Sequence, residues 1–251
     1  MFSETEKEVR MQNFQDNRTV KDVTASANES SLASFFQKTY AYMGISLLLT
    51  FGIAYIMAYP LHSQLVGLRS NMLTWIILFG AQIALIFLIN RNALKNTSKA
   101  VGGLVAFAVI EGIFFGTILS MFSAQAVVSA FLVATVDFGG MALYGFFTKR
   151  NLSNFAPILF GGLIALIIGS IVSIFLHSTG LYFIITIVGV LIFSGYAAFD
   201  HHNLKRMYFA LQSQGMNTTN GLAISGALML YLDFINLFIY FLQLFSFANR
   251  S

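Results

Sequence analysis

Hydrophobic residues in this chain gather into seven long, nearly unbroken runs separated by short polar links. A helix needs about 20 apolar residues to cross a bilayer core. The runs Tyr40–Tyr59, Leu73–Asn90, Ala100–Met121, Ala124–Phe147, Ala156–Leu176, Leu181–Phe199 and Leu222–Phe247 are near that length. Barrel strands alternate over about ten residues, and these runs are too long and too continuous for that. The pattern predicts an all-α integral membrane protein of seven transmembrane helices. Short links near Phe122–Ser123 and His177–Gly180 make tight hairpins of the third and fourth spans and of the fifth and sixth. Residues 1–34 are polar and mixed in charge, and read as a mobile cytosolic tail. Residues 35–251 form the membrane domain.

Composition agrees with this reading. The chain is 57% hydrophobic, only 10% of its 251 residues are charged, and mean hydropathy is +0.75. A soluble domain carries about a quarter charged residues. The net charge of +4 does not point to nucleic acid, because no basic run is interleaved with aromatics. Twelve of the 14 lysines and arginines fall on one side of the predicted spans, with only Arg69 and Arg250 on the other. The positive-inside rule therefore puts the amino terminus in the cytosol and the carboxyl terminus outside it. There are no cysteines, which excludes disulfides and thiolate sites. Tyr, Phe and the single Trp75 are expected to face lipid or the interface.

Within the last span the polar residues are not scattered. Asp233, Asn236, Tyr240 and Gln243 recur at steps of three, four and three, so they share one helix face. Ser225, Gly226 and Met229 extend it toward the cytosolic end. A carboxylate in mid-membrane costs roughly 2.5–3.5 kcal/mol on insertion scales. Asp233 must therefore face protein or water. Asp200 closes the sixth predicted span, which runs antiparallel to the seventh. Asp233 lies about 16 Å into its helix at 1.5 Å per residue, and protrusion of that helix's first turns would bring the two acids toward one depth. Two carboxylates in a poorly solvated site cannot both ionise cheaply; they titrate as a unit and share a proton, or a cation replaces it. Asp200 also reads as a solvated helix end.

The remaining ionisable groups each have a plain structural reading. Glu111 and Asp137 lie mid-way along the third and fourth spans and suit interhelical hydrogen bonds. Gly112 and Gly116 beside Glu111 form a small-xxx-small step that admits another helix. Arg91 ends the second span as a positive-inside anchor, or as a partner for ionised Asp200. His201 and His202 follow Asp200, but adjacent residues on a helix point about 100° apart. They do not make a natural metal site, and an intramembrane metal hydrolase is disfavoured. No nucleophile elbow or phosphate loop appears. The expectation is a protein that is not an enzyme and has no resident cofactor.

The segment Tyr231-Leu-Asp-Phe-Ile-Asn-Leu-Phe238, preceded by Gly226-Ala-Leu-Met-Leu230, resembles the signature last helix of the Bax inhibitor-1 family, also called the transmembrane Bax inhibitor motif family. The bacterial branch fits best. Asn203-Leu-Lys-Arg-Met-Tyr208 after the sixth-span acid, Thr148-Lys149-Arg150-Asn151-Leu152 and Glu111-Gly112 with Gly116 are similar to further motifs of that branch. The likeness runs from about Phe36 to the end. It implies six helices around a central seventh. It also implies a pH-sensitive calcium leak in a bacterial plasma membrane, with Asp200 and Asp233 as the paired-aspartate sensor and calcium site. Arg91 would be the latch; Glu111, Asn236, Tyr240 and Asp137 are read from the residues as supporting polar groups, and Asp137 matches no hallmark of the family. Two departures stand out. The chain has Phe199-Asp200-His201-His202 where the family usually has Tyr-Asp-Thr-Gln, and Asn151 where it often has Asp. The resemblance also admits a regulator that binds a membrane protease or stress-response partner, for which the polar tail is the expected dock.

Overall fold

The computed structural model describes the backbone of residues 4–61, 72–214 and 219–248. Among them are seven helices long and apolar enough to cross a membrane. They are α1 (Glu4–Ala58), α2 (Met72–Ala93), α3 (Thr97–Leu119), α4 (Ala124–Phe147), α5 (Ala156–Leu176), α6 (Thr179–Ser213) and α7 (Thr219–Ala248), with a short 3-10 turn η1 (Leu152–Phe155) before α5. No strand occurs among the described residues. Leu48, Phe87, Val136 and Phe175 are each more than 70% exposed. Large apolar side chains presented this way along the spans need acyl chains as solvent.

Helix α7 is the axle of the bundle. Of its most apolar stretch 72% is buried inside the protein, against 11–44% for the other spans. A helix that is apolar on nearly every face belongs inside. Helices α1, α2, α3, α4 and α6 pack directly on it, while α5 packs mainly on α6 and η1. Small residues permit the closest approaches. A Cβ on Gly112 would stand 2.7 Å from Ile53 Cβ, and one on Gly116 would stand 2.6 Å from Met57 Cβ. The small-xxx-small step therefore seats α3 on α1, as its spacing predicts.

The hairpins have ordinary caps. Ser123 accepts from the Ala126 amide at the start of α4, and Ser178 accepts from the Leu181 amide at the start of α6. His177 between α5 and α6 takes the left-handed conformation, φ 49°.

Three expectations are corrected. First, α1 enters the core earlier than Tyr40. Leu32, Phe35, Phe36, Thr39 and Met43 are buried at helical spacing, and Ser31 accepts from Tyr208 at 2.7 Å. Among the described residues the candidate membrane-crossing stretch of α1 is Ser30–Ala58. The side chains of residues 1–29 lie outside the described residues, as do His62, Arg69 and Arg250. Second, α6 does not stop at Phe199. It runs on to Ser213, because residues 201–213 contain neither Gly nor Pro and carry Leu204 and Tyr208 into the core at i+4 and i+8 from Asp200. Third, the aromatic residues divide: Phe79, Phe87, Phe160 and others are exposed as expected, but a second set is not. Phe35, Phe107, Phe115, Phe238, Tyr208 and Tyr231 are among the most deeply buried side chains. Edge-to-face and stacked pairs such as Phe51–Phe238 (5.4 Å) and Phe115–Phe238 (5.7 Å) fill the space around α7. Flat rings pack tightly where lipid supplies no hydrophobic drive for helix association.

Candidate functional site

The α6–α7 seam carries the polar groups, and its register can be read from four contacts. Leu204 faces Gly226, Asp200 faces Asp233, Gly189 faces Tyr240 and Thr186 faces Gln243. The numbers in each pair add to nearly the same total, which is the signature of two antiparallel helices in one continuous register. The seam therefore joins residues far apart in sequence at matched depths.

Asp200 and Asp233 meet within hydrogen-bonding reach of each other. They are 8% and 5% exposed, so neither is solvated. The expectation of Asp200 as a wetted helix end is thus corrected: α6 continues about 20 Å beyond it at 1.5 Å per residue, and the acid sits inside the bundle. Two carboxyl groups can share a hydrogen bond only if one of them carries a proton. Asp233 Oδ2 has no hydrogen-bond partner. Tyr196, one turn before Asp200 on α6, lies close enough to feel both charges.

His201 is fully buried. Its Nδ1 lies 2.6 Å from the Ala197 carbonyl, and its ring is stacked on Tyr40 and set edge-on to Phe138. His202 is only half-buried. Among the described residues no group of three or more His, Cys, Asp or Glu could hold a metal ion. Calcium takes six to eight oxygen ligands, so the aspartate pair with Asn236 and Tyr196 nearby falls short of a tight calcium cage.

Arg91 does not meet the pair. It is exposed in the last turn of α2 and is not among the groups that act on either aspartate. The depth explains why. The Ala93 carbonyl of α2 touches Gly221 of α7. Counting 1.5 Å per residue from that contact puts Arg91 about 15 Å along the axis from Asp233. An Arg91–Asp200 latch requires α2 to slide or α6 to bend.

Glu111 and Asp137 belong to separate interhelical bonds. Glu111 on α3 is buried and accepts a hydrogen bond from Gln82 of α2. Tyr231 of α7 is near enough to feel its charge. The Tyr231 hydroxyl shares a 2.7 Å hydrogen bond with Thr50, which also donates to the Ala108 carbonyl at 3.0 Å. Asp137 on α4 accepts from Ser194 of α6 at 2.6 Å. Asn236 donates back to the Leu232 carbonyl at 2.7 Å. Gln82, Thr50, Ser194 and Thr186 had drawn no attention as sequence. Each is a single polar residue in an apolar run, and that isolation is the signal that finds them.

The sequence model of the family described as inhibitor of apoptosis-promoting Bax1 matches residues 32–250. The chain belongs to the Bax inhibitor-1 family. It is 34% identical over 237 residues to the uncharacterized protein YrjE of Lactococcus lactis subsp. lactis, a match covering 94% of this chain and 98% of YrjE. It is 33% identical over 227 residues to the uncharacterized membrane protein SpyM3_0260 of Streptococcus pyogenes serotype M3, covering 89% and 97%. It is 33% identical over 220 residues to the inner membrane protein YbhL of Escherichia coli K12, covering 86% and 93%. Family membership and seven spans together make this Bax inhibitor-1 family protein an integral membrane protein.

Proposed function

We propose that this protein is a pH-responsive cation leak in a bacterial plasma membrane, with calcium as the carried ion and the Asp200–Asp233 pair as the proton-reading element. The observation that carries the reading is two carboxyl groups in contact inside a lipid-embedded bundle, one with an unpartnered oxygen. The lysines and arginines at one end of α2, α4 and α6 support a cytosolic placement of that end.

The sign follows from electrostatics. With one shared proton the pair is a hydrogen bond that draws α6 onto α7. As pH rises and that proton leaves, two negative charges remain in contact. At about 4 Å in an effective dielectric near 20 their repulsion is on the order of 4 kcal/mol. That energy loosens the seam or draws in a cation, so flux increases with pH. Arg91 enters only in a rearranged state in which α2 has moved.

Calcium flux into proteoliposomes tests this. Wild type should show flux that changes steeply with pH across the neutral range. Asp200→Asn and Asp233→Asn each keep a hydrogen-bonded pair that can no longer carry two negative charges, and should each flatten the profile. Profiles in both variants that match wild type would end the proposal.

A further inference from the structure

We propose that a polar vestibule at the end of the bundle opposite the basic residues is the aqueous entrance to the acid pair, and that Tyr240, seated on Gly189, is the plug that closes it. The inference deepens the leak reading by naming its route and seal, although the accessibility it predicts can be tested without any flux.

The vestibule is a cavity of about 710 Å³. Ser170, Ser173, His177, Thr179, Gln243 and Ser246 are among its lining residues. His177 and Thr179 are exposed, so the cavity reaches the surface. Its lining mixes hydroxyls, an amide and an imidazole with Met121, Phe122 and Phe247, and holds no acid. Such a chamber admits water and hydrated cations without holding them.

The way inward follows the α6–α7 seam in layers. The floor is the hydrogen bond from Thr186, fully buried, to Gln243 at 3.2 Å. The next layer is Tyr240. Its ring lies so close to Gly189 that a methyl on that glycine would overlap it, and it stacks on Phe193 with centroids 5.7 Å apart and planes at 28°. Only a residue without a Cβ leaves room for the ring there. Beyond the plug the lining turns polar again, with Asn236 on α7 and Tyr196 on α6, and then the acids. From Tyr240 to Asp233 is about 10 Å along the helix.

Toward the basic end the same seam is closed differently. Leu204, Tyr208, Ala223, Ala227 and Leu230 are all buried there, and Leu204 is pressed onto Gly226. The polar groups on this side are tied into contacts of their own: His201, fully buried, has its Nδ1 2.6 Å from the Ala197 carbonyl, and the Tyr208 hydroxyl donates to Ser31. On the vestibule side the Tyr240 ring, packed on Gly189 and Phe193, stands between the cavity and the acids.

The chain has no cysteine, so single reporters can be introduced in the full-length protein. Ser246→Cys reports the vestibule and Asn236→Cys reports the space behind the plug. Each is exposed in sealed membranes to a charged, membrane-impermeant thiol reagent added on one side at a time. Ser246→Cys should react readily from the side bearing His177. Asn236→Cys should react at least about tenfold more slowly, as expected when labelling waits for a minor opened population. Adding Tyr240→Ala should bring Asn236→Cys close to the Ser246→Cys rate from that same side. Tyr240→Phe, which keeps the ring, should not. If Tyr240→Ala does not yield folded protein, Gly189→Ala serves, because it unseats the ring from the opposite wall. Equal labelling of Asn236→Cys with and without Tyr240, or labelling only from the basic side, overturns the plug even where flux remains pH-dependent. Labelling that requires loss of the ring upholds the plug even where calcium flux ignores both aspartates, in which case the leak reading alone fails.

Discussion

Leu204 of α6 places its terminal methyls where a side chain on Gly226 of α7 would have to stand, 2.8 and 3.1 Å from the position of the missing Cβ. The contact lies about two turns of α7 below Asp233 and one turn of α6 from Asp200. It fixes the register in which the two acids face each other. Gly226→Ala can be absorbed by a rotamer change of Leu204 at a cost of about 1 kcal/mol. Gly226→Leu cannot, and should push α6 away from α7. We expect Gly226→Ala to keep the pH response of flux and Gly226→Leu to lose it, with a lowered melting temperature in detergent. Retention of the full response by a folded Gly226→Leu protein would show that register does not set the pair.

A second glycine contact is less forgiving. Gly145 of α4 abuts the backbone of Ala198 in α6, whose carbonyl oxygen occupies the place of a Cβ. Backbone inside a helix has no rotamer to change. Gly145→Ala should therefore destabilise by about 3 kcal/mol, at the upper end of overpacking costs. Gly140, on the same helix, has nothing within 4 Å of a built Cβ. Gly140→Ala should be neutral or stabilising by up to about 1 kcal/mol, from helix propensity. Thermal melting of the two variants side by side decides the matter, since the same chemical change predicts opposite signs.

The number and approximate positions of the seven spans were readable because each hydrophobic run is close to bilayer length and most are bounded by charge or a cap. The run Ala124–Phe147 coincides with α4 residue for residue. The end of α6 was not readable. Hydropathy falls at Asp200, but the helix continues because Leu204 and Tyr208 find burial on other helices, and burial against protein leaves a weaker hydropathy signal than burial in lipid. The same blindness misplaced the aromatics, since a phenylalanine facing acyl chains and one facing α7 look alike in sequence. The stripe Asp233, Asn236, Tyr240 and Gln243 was legible from helical spacing alone. Its partners on α6, Gly189 and Thr186, were not, because antiparallel register is set by packing between helices. Arg91 was matched to the site by its place at a helix end, and axial depth is what separates it from the acids.

For the acid pair itself, the two aspartates should behave alike. Either Asp→Asn substitution replaces a proton that can leave with an amide that cannot, and the repulsive doubly ionised state disappears. Both variants should therefore show flux locked near the low-pH level of wild type. The double variant should add nothing further, because both changes remove one shared proton. Flux in the double variant that differs from either single variant by more than a few fold would mean that the carboxyls act separately.

Glu111 and Gln82 give a test of the structural reading of a buried acid. Gln82 of α2 donates to Glu111 of α3 in a buried site. Gln82→Leu leaves the carboxyl without that donor and should cost about 1–3 kcal/mol. Glu111→Gln keeps a hydrogen-bonding group of nearly the same shape and should cost less. Changing both residues to leucine removes the unsatisfied group altogether, and a well-packed apolar pair in its place is often nearly neutral. The double variant should then be more stable than Gln82→Leu alone, a coupling of at least about 1 kcal/mol in a double-mutant cycle. Melting in detergent measures it, and flux measured in parallel asks whether the acid does more than hold α2 to α3. A cycle that closes additively would mean that the hydrogen bond contributes nothing. Preserved stability with lost flux would move Glu111 from the scaffold to the conduction path.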